Sequence, residues 1–277
     1  MKKEYLTLAA FCLLLGLGSC NSHSGKSQNH FNAENTEDVD ANHQAESAKP
    51  FATEMVTINK AADNKMDVHY KYTVDFPVEG PQQLVASVKE TIFKTLGDST
   101  ANRFTKEQLE ALGQQFVDRS IAEIKSFGED ARTMAYANEG RVEVVANTDR
   151  YLTYTIKDYL YTGGAHGASR DLFFTFRKKD GKLLTWDDIF PQSNLTHLKD
   201  IVKQAIVEQH YQGNAPDWGD IFKFDLPQQC PAFTIEGMTF NYASYEIDAY
   251  AAGMPKCILP YHVVKVLMTP EAQALID

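Results

Sequence analysis

From Gly140 to Trp186 the chain alternates apolar and polar residues almost without a break, in runs divided by short turn-forming stretches. "GRVEVVANTDRYLTYTIKDYLYT" reads as two strands turning at Asn147 to Asp149. "SRDLFFTFRKKDGKLLTW" adds a strand, a Lys-Asp-Gly turn and a short second strand. Alternation of period two puts every second side chain on one face, which suits a half-buried, largely antiparallel sheet.

The flanking segments fix what packs on that sheet. "TEMVTINK" and "KMDVHYKYTVDFP" read as two further strands. "PQQLVASVKETIFKTLG" then places Leu84, Val88, Ile92 and Leu96 on one helical face, with Pro81 at its start and Gly97 at its end. A second helix is expected from about Thr105 to Ser126, with Leu109, Leu112, Phe116, Ile121 and Ile124 as its stripe. The first half is therefore β-β-α-α-β-β. Later come a helix over "NLTHLKDIVKQAIVEQHY" capped by Asn194, two strands about the Glu236-Gly237 turn, and a closing helix capped by Thr269 with Pro270 at its first position. The class expected is α+β: two packed subdomains, with a largely antiparallel sheet and helices on one side.

The first fifty residues stand apart from this pattern. Lys2 and Lys3 precede an apolar run from Leu6 to Leu17 that is too short to span a bilayer as a lasting helix. It ends in "LGSC", which resembles the bacterial lipobox, so residues 1–19 read as a lipoprotein signal peptide and Cys20 as the lipidated residue. Residues 20–50 are polar and acidic with almost no large apolar side chain, and read as a disordered tether. No later run is long and apolar enough to span a membrane, so lipid on Cys20 is the expected anchor in the bacterial cell envelope, on either membrane.

The formal net charge is −10, and one unit more negative once Lys2, Lys3 and Glu4 leave with the signal. That argues against nucleic acid as a partner and suits a basic protein. Cys230 and Cys257 are the cysteines left for other chemistry. In an oxidising envelope they form either one disulfide, adding about 3 kcal/mol if unstrained, or two buried free thiols.

One stretch invites a chemical reading: "YTGGAHGAS", Tyr161 to Ser169, where three glycines surround His166. It has no nucleophile elbow, no lysine at phosphate-loop spacing, and no partner acid placed to orient the imidazole. Two readings of His166 stand. It satisfies backbone groups in a glycine corner, or it lies on a surface where a partner approaches that corner. Tyr242, Tyr245, Tyr250 and Tyr261 cluster near the end, with Trp218 in a polar loop; these are half-buried sheet residues or contact residues. The acids Asp187–Asp188, Glu236, Glu246 and Asp248 lack calcium-loop spacing. No catalytic set, metal site or cofactor is expected.

Several of these motifs also fall in a familiar order. "YTGGAHGAS", "KDGKLLTWDDIF" and "FTIEGMTFNYASYEIDAYAAGMPKCILPY" resemble the outer domain of the RsiV anti-sigma factors, the DUF3298 type, over residues 161–277. Residues 51–160 resemble the DUF4163 domain that precedes it and is shared with the PdaC peptidoglycan deacetylases. The RsiV resemblance implies an exported, non-enzymatic binding module whose partner is lysozyme or a cell-wall component. It locates the ligand-binding surface at His166, Ser169, Tyr245 and Tyr250. The chain lacks the transmembrane helix of an anti-sigma factor. None of its eight histidines stands four residues from another, as the metal pair of a PdaC-type catalytic domain requires. The alternative is a hydrolase or deacetylase-related enzyme acting on peptidoglycan or another glycan.

Overall fold

The computed structural model describes residues 50–62, 66–97, 103–128, 134–219 and 221–277. The expected signal peptide, Cys20 and the expected tether up to residue 49 lie outside the described residues. Ala45–Asp277 forms one compact unit.

Six strands build the main sheet, in sequence order across it: β1 (Ala52–Ala61), β2 (Asp67–Glu79), β3 (Ala135–Asn147), β4 (Tyr151–Thr162), β5 (Ala168–Arg177) and β6 (Lys182–Leu183). All neighbours are antiparallel except β2 and β3. That parallel pair requires a crossover, and α1 (Gln82–Leu96) and α2 (Lys106–Ser126) supply it. Thr105 caps α2 by accepting from the Gln108 N–H, and Gln108 reaches back to the Thr105 N–H. The fold is α+β, with β-β-α-α-β-β in its first half.

Alternation decides which face each strand buries. Val56 and Ile58 of β1, Tyr70, Tyr72 and Val74 of β2, and Tyr154 and Ile156 of β4 form one core with Leu84, Val88 and Ile92 of α1 and Leu109, Phe116 and Ile124 of α2. Each such side chain contributes about 1.5–3 kcal/mol by leaving water. Helices α1 and α2 thus cover one face of the sheet.

The rest of the chain packs on the opposite face, chiefly over β4 and β5, with Ala146 at the end of β3 also in its core. It comprises α3 (Trp186–Ile189), α4 (Leu195–Gln209), the short strands β7 (Ala232–Phe233), β8 (Met238–Asn241) and β9 (Lys256–Leu259), α5 (Tyr261–Val264) and α6 (Pro270–Gln273). Its core gathers Phe190, Leu198, Val202, Phe233, Phe240 and Tyr242. The joint with the sheet is polar: Thr153 and Thr175, paired across β4 and β5, hydrogen-bond each other at 3.0 Å and the backbone of Phe233. Two cores thus lie on opposite faces of the six-stranded sheet, the second one completed by the three-stranded sheet β7-β8-β9. The expected division at residues 160/161 falls inside the six-stranded sheet, within the last residues of β4.

One local expectation is corrected, and one open alternative is decided. Asn194 does not cap α4 with its side chain, because a 3-10 turn over Gln192–Asn194 already leads into the helix. Its amide donates instead to the Leu267 carbonyl at 2.9 Å. Cys230 and Cys257 are both free. Cys257 lies on β9 and Cys230 two residues before β7, with β8 between those strands, so they are about 9–10 Å apart across the sheet, beyond disulfide reach. Thr269, by contrast, caps α6 as its sequence suggests, with Pro270 in the first turn.

Candidate functional site

Residues 163–167 join β4 to β5, the glycine stretch being a hairpin connection. Gly163 takes φ +79°, a conformation that L side chains rarely adopt. Gly167 answers a different demand: a Cβ there would lie 2.3 Å from the ring of Tyr159, so only glycine lets the returning chain pass beneath that ring.

The Gly167 carbonyl is the fixed point of the corner. It accepts from the Tyr250 hydroxyl and from His166 Nδ1, each at 2.9 Å. A carbonyl only accepts, so Nδ1 carries the proton and Nε2 is the free nitrogen of the neutral ring. The His166 ring stacks on Tyr250, centroids 4.1 Å apart at 21°, and Tyr245 lies 5.5 Å beyond Tyr250. The Tyr245 hydroxyl faces His166 Nε2 at 3.5 Å. His166 therefore holds the corner through one nitrogen and shows solvent an aromatic face shared with two tyrosines.

Tyr245 is held there against backbone preference. Its φ is +69°, in a turn closed by the Glu246 N–H on the Ala243 carbonyl at 3.2 Å. Positive φ at the third residue alone marks a type II turn, where glycine is the usual occupant. A tyrosine costs about 1 kcal/mol in that position. Its ring is 54% exposed, so burial does not compel it to stay.

The segment carrying Tyr245 and Tyr250 is pinned by its own acids and by residues on and just after α4. The Glu246 carboxylate accepts from the backbone N–H groups of Ala243 and Gln228, at 2.7 and 2.6 Å. Asp248 accepts from the Tyr211 hydroxyl at 2.9 Å; burial, then this carboxylate, push that phenol well above its usual range. Trp218 donates to the Ile247 carbonyl at 2.9 Å and His210 to that of Ala252 at 3.0 Å. Asp188 is occupied in the same way, accepting from the backbone and hydroxyl of Thr185 at 2.9 and 2.8 Å. These acids shape the backbone.

Of the four expected site residues, His166, Tyr245 and Tyr250 converge, while Ser169 lies apart from their stack. It pairs with Tyr159 across β4 and β5 and lines a neighbouring groove of about 1030 Å³. That groove is the step between the bare face of the sheet and the C-terminal elements. Its floor carries Lys71, Arg141, Lys157 and Asp171, and Met254 stands on its wall. Tyr242 and Tyr261 are core residues, donating to the carbonyls of Asp225 and Thr234 at 2.7 Å each. Sequence reading missed Tyr159, Arg141 and Lys157, since only strand register puts them beside the stack.

Beneath the floor, on the helical side, Asp158 is buried and takes the Arg170 guanidinium through Nε at 2.8 Å and through the adjacent amino group. The Tyr72 hydroxyl adds a third contact at 3.1 Å. Burial and then Asp158 push the phenols of Tyr70 and Tyr72 far up, and hydrogen bonding to Asp158 raises Arg170. A second cavity, of about 870 Å³, lies at the other end of β4 near Phe51, Arg150 and Leu275, away from the expected residues. Among the described residues, no three His, Cys, Asp or Glu side chains form a group able to hold a metal ion. No helix among them is long and apolar enough to cross a membrane.

A six-stranded sheet with helices on one face and a small C-terminal layer on the other defines an α+β fold. The chain belongs to the family described as Deacetylase PdaC, whose model matches residues 19–169, and it carries a DUF3298 domain, described as a protein of unknown function, over residues 187–262. Its fold is shared with a crystal structure of a DUF3298 family member from Bacteroides fragilis NCTC 9343, 18% identical at a TM-score of 0.67, covering 81% of this chain and 95% of that one. A DUF3298 family protein from Pseudomonas aeruginosa PAO1 is 15% identical at a TM-score of 0.58, with 81% and 97% covered. No curated protein matches the chain.

Proposed function

We propose that this chain is a non-enzymatic binding module of the bacterial envelope, anchored by lipid on Cys20, that holds a cell-wall glycan at the aromatic corner. The observation that carries the reading is the His166–Tyr250–Tyr245 stack. It is a solvent-facing aromatic surface, kept rigid by hydrogen bonds to Gly167 and by a strained tyrosine backbone. Rigid aromatic faces with polar edges take part in recognition at small entropic cost. The first nitrogen of His166 is engaged by a carbonyl and the second faces a phenol, so the imidazole has no acid partner to orient it for proton transfer.

A glycan suits this face better than a basic protein does. The chain is acidic overall, but the groove beside the stack carries Lys71, Arg141 and Lys157 among its acids. Sugar rings can lie on the aromatic corner and run along the open sheet.

The test is co-sedimentation of the compact unit Ala45–Asp277 with insoluble peptidoglycan. Retention is expected, with loss in Tyr245→Ala/Tyr250→Ala at an unchanged melting temperature. No retention, together with inhibition of lysozyme by the same fragment, would move the reading to a protein partner. Release of acetate from the wall, lost in His166→Ala, would move it to a deacetylase, the activity named in the family description. Labelled fatty acid should enter the full chain and fail to enter Cys20→Ser.

A further inference from the structure

We infer that the groove beside the aromatic stack is a carboxylate-reading subsite, in which Arg141, Lys157 and Lys256 grip an acidic group on the ligand. This rests on the glycan-binding reading above and names the substituent such a glycan would carry.

The first observation is register. Arg141 of β3 lies directly opposite Lys157 of β4 on the uncovered face of the sheet. Like charges in that relation repel, and an antiparallel sheet has no structural reason to place them there. The second is that their internal partners are loose. Arg141 reaches Glu143 at 3.5 Å. Lys157 and Lys256 approach the same oxygen of Asp171 at 4.0 and 3.9 Å, a full ångström beyond a charge-assisted hydrogen bond. Three cations thus share two carboxylates without a tight contact among them.

Position supplies the third observation. Asp171 is buried where β5 meets the C-terminal layer, and its other oxygen accepts from Thr155 at 3.2 Å. It acts as a fixed negative base that draws the two lysines, from β4 and β9, over the same spot. Their side chains are 51% and 43% exposed, so the outer ammonium hydrogens face solvent. Ser169 stands two residues from Asp171 on the same strand face, and Tyr159 links this spot to Gly167 beneath the stack. A chain lying on the aromatics would bring a side group to the lysines. A carboxylate would complete the partnership that Asp171 and Glu143 leave unfinished.

The experiment compares neutral chitohexaose, an oligogalacturonate and a tetraglutamate peptide by titration calorimetry on the Ala45–Asp277 unit. An acidic probe should bind roughly tenfold more tightly than chitohexaose at low salt, and lose that advantage as salt rises. Which acidic probe does so tells a sugar carboxylate from a peptide one. Lys157→Gln and Arg141→Gln should each remove the advantage, the acidic probe losing far more affinity than chitohexaose. The second variant guards against instability, since Arg141 is 68% exposed and holds nothing buried. Equal affinity for neutral and acidic probes, unmoved by either variant, would overturn the subsite and leave glycan binding intact. Lysine-dependent binding of tetraglutamate alone would keep the subsite and overturn the glycan reading. Failure of all three probes would overturn both.

Discussion

Replacing Arg170 by methionine tests whether the buried carboxylate under the sheet depends on its cation. Asp158 and Arg170 are paired directly across β4 and β5, one turn of pleat before the glycine connection that carries His166. The Asp158 side chain is 2% exposed, while that of Arg170 is 47% exposed. Methionine keeps the aliphatic stem that packs on the sheet and removes both guanidinium contacts, leaving Asp158 with the Tyr72 hydroxyl. Stripping one partner from a fully buried pair costs about 3–5 kcal/mol. Water already reaches the guanidinium and would reach part of the vacated site, which brings the expected loss to about 2–3 kcal/mol. For a unit of this size that is a fall of roughly 5–10 °C in melting temperature.

Urea denaturation of the Ala45–Asp277 unit at neutral pH measures it, with the Asp158→Asn/Arg170→Met double variant as the companion. Asparagine needs no cation, so the double variant should recover more than half of the loss. A loss under about 0.5 kcal/mol in the single variant would show that Asp158 is solvated well enough to stand alone. That would refute the dependence of Asp158 on its cation. Equal losses in the single and double variants would refute it too, since the deficit would then be lost packing.

Tyr245→Gly should leave the melting temperature within about 2 °C of the parent, since relief of positive φ offsets the lost ring contact, yet abolish retention on peptidoglycan. A drop of more than about 6 °C would mean the tyrosine is there for stability. Burial pushes the Cys230 and Cys257 thiols up to about 12. A raised thiol stabilises the fold fully below the unfolded-state value and progressively less above it, so this contribution wanes as pH climbs past about 8.5. Both thiols should resist Ellman's reagent at pH 8 until denaturant is added; rapid labelling of the native protein, or a mass showing a disulfide, would contradict the structure.

The elements were largely legible in the sequence because strong periodicity wrote them. Leu84, Val88 and Ile92 recur at helical spacing and all end in the core, as do Leu109, Leu112 and Phe116. Alternation in β2 gave the strand and its buried face; β4 was legible as a strand, but its burial on both faces from Tyr151 to Ile156 comes from the C-terminal layer. What periodicity does not carry is pairing. The parallel alignment of β2 with β3 depends on a crossover through two helices, and no local residue records it. The same limit governs the site. His166 stood out by its glycine surroundings, and Tyr245 and Tyr250 were placed beside it by the family resemblance, but the meeting of Arg141 with Lys157, and of Lys157 and Lys256 over Asp171, exists only in the folded sheet. Asn194 shows the converse: its local signal as a cap was sound chemistry, overridden by a carbonyl 73 residues away in sequence.

The groove follows from a mismatch of widths. Six strands spaced about 4.8 Å apart make a sheet roughly 25 Å across, while the three short strands of the C-terminal layer span only about 10 Å. That layer covers β4, β5 and the end of β3, so a step is unavoidable where covered sheet meets bare sheet. A bare face stays soluble only if its outward positions are polar, and Lys71, Thr73, Glu139 and Arg141 meet that need. Solubility alone would be served by any mixture of charges. It would not require a like-charged pair in register, nor a tyrosine held at positive φ at the top of the step. Those two features each cost stability, one on the open sheet and one in the aromatic corner, and a ligand that is flat along its chain and acidic at its side groups would be stabilised by both.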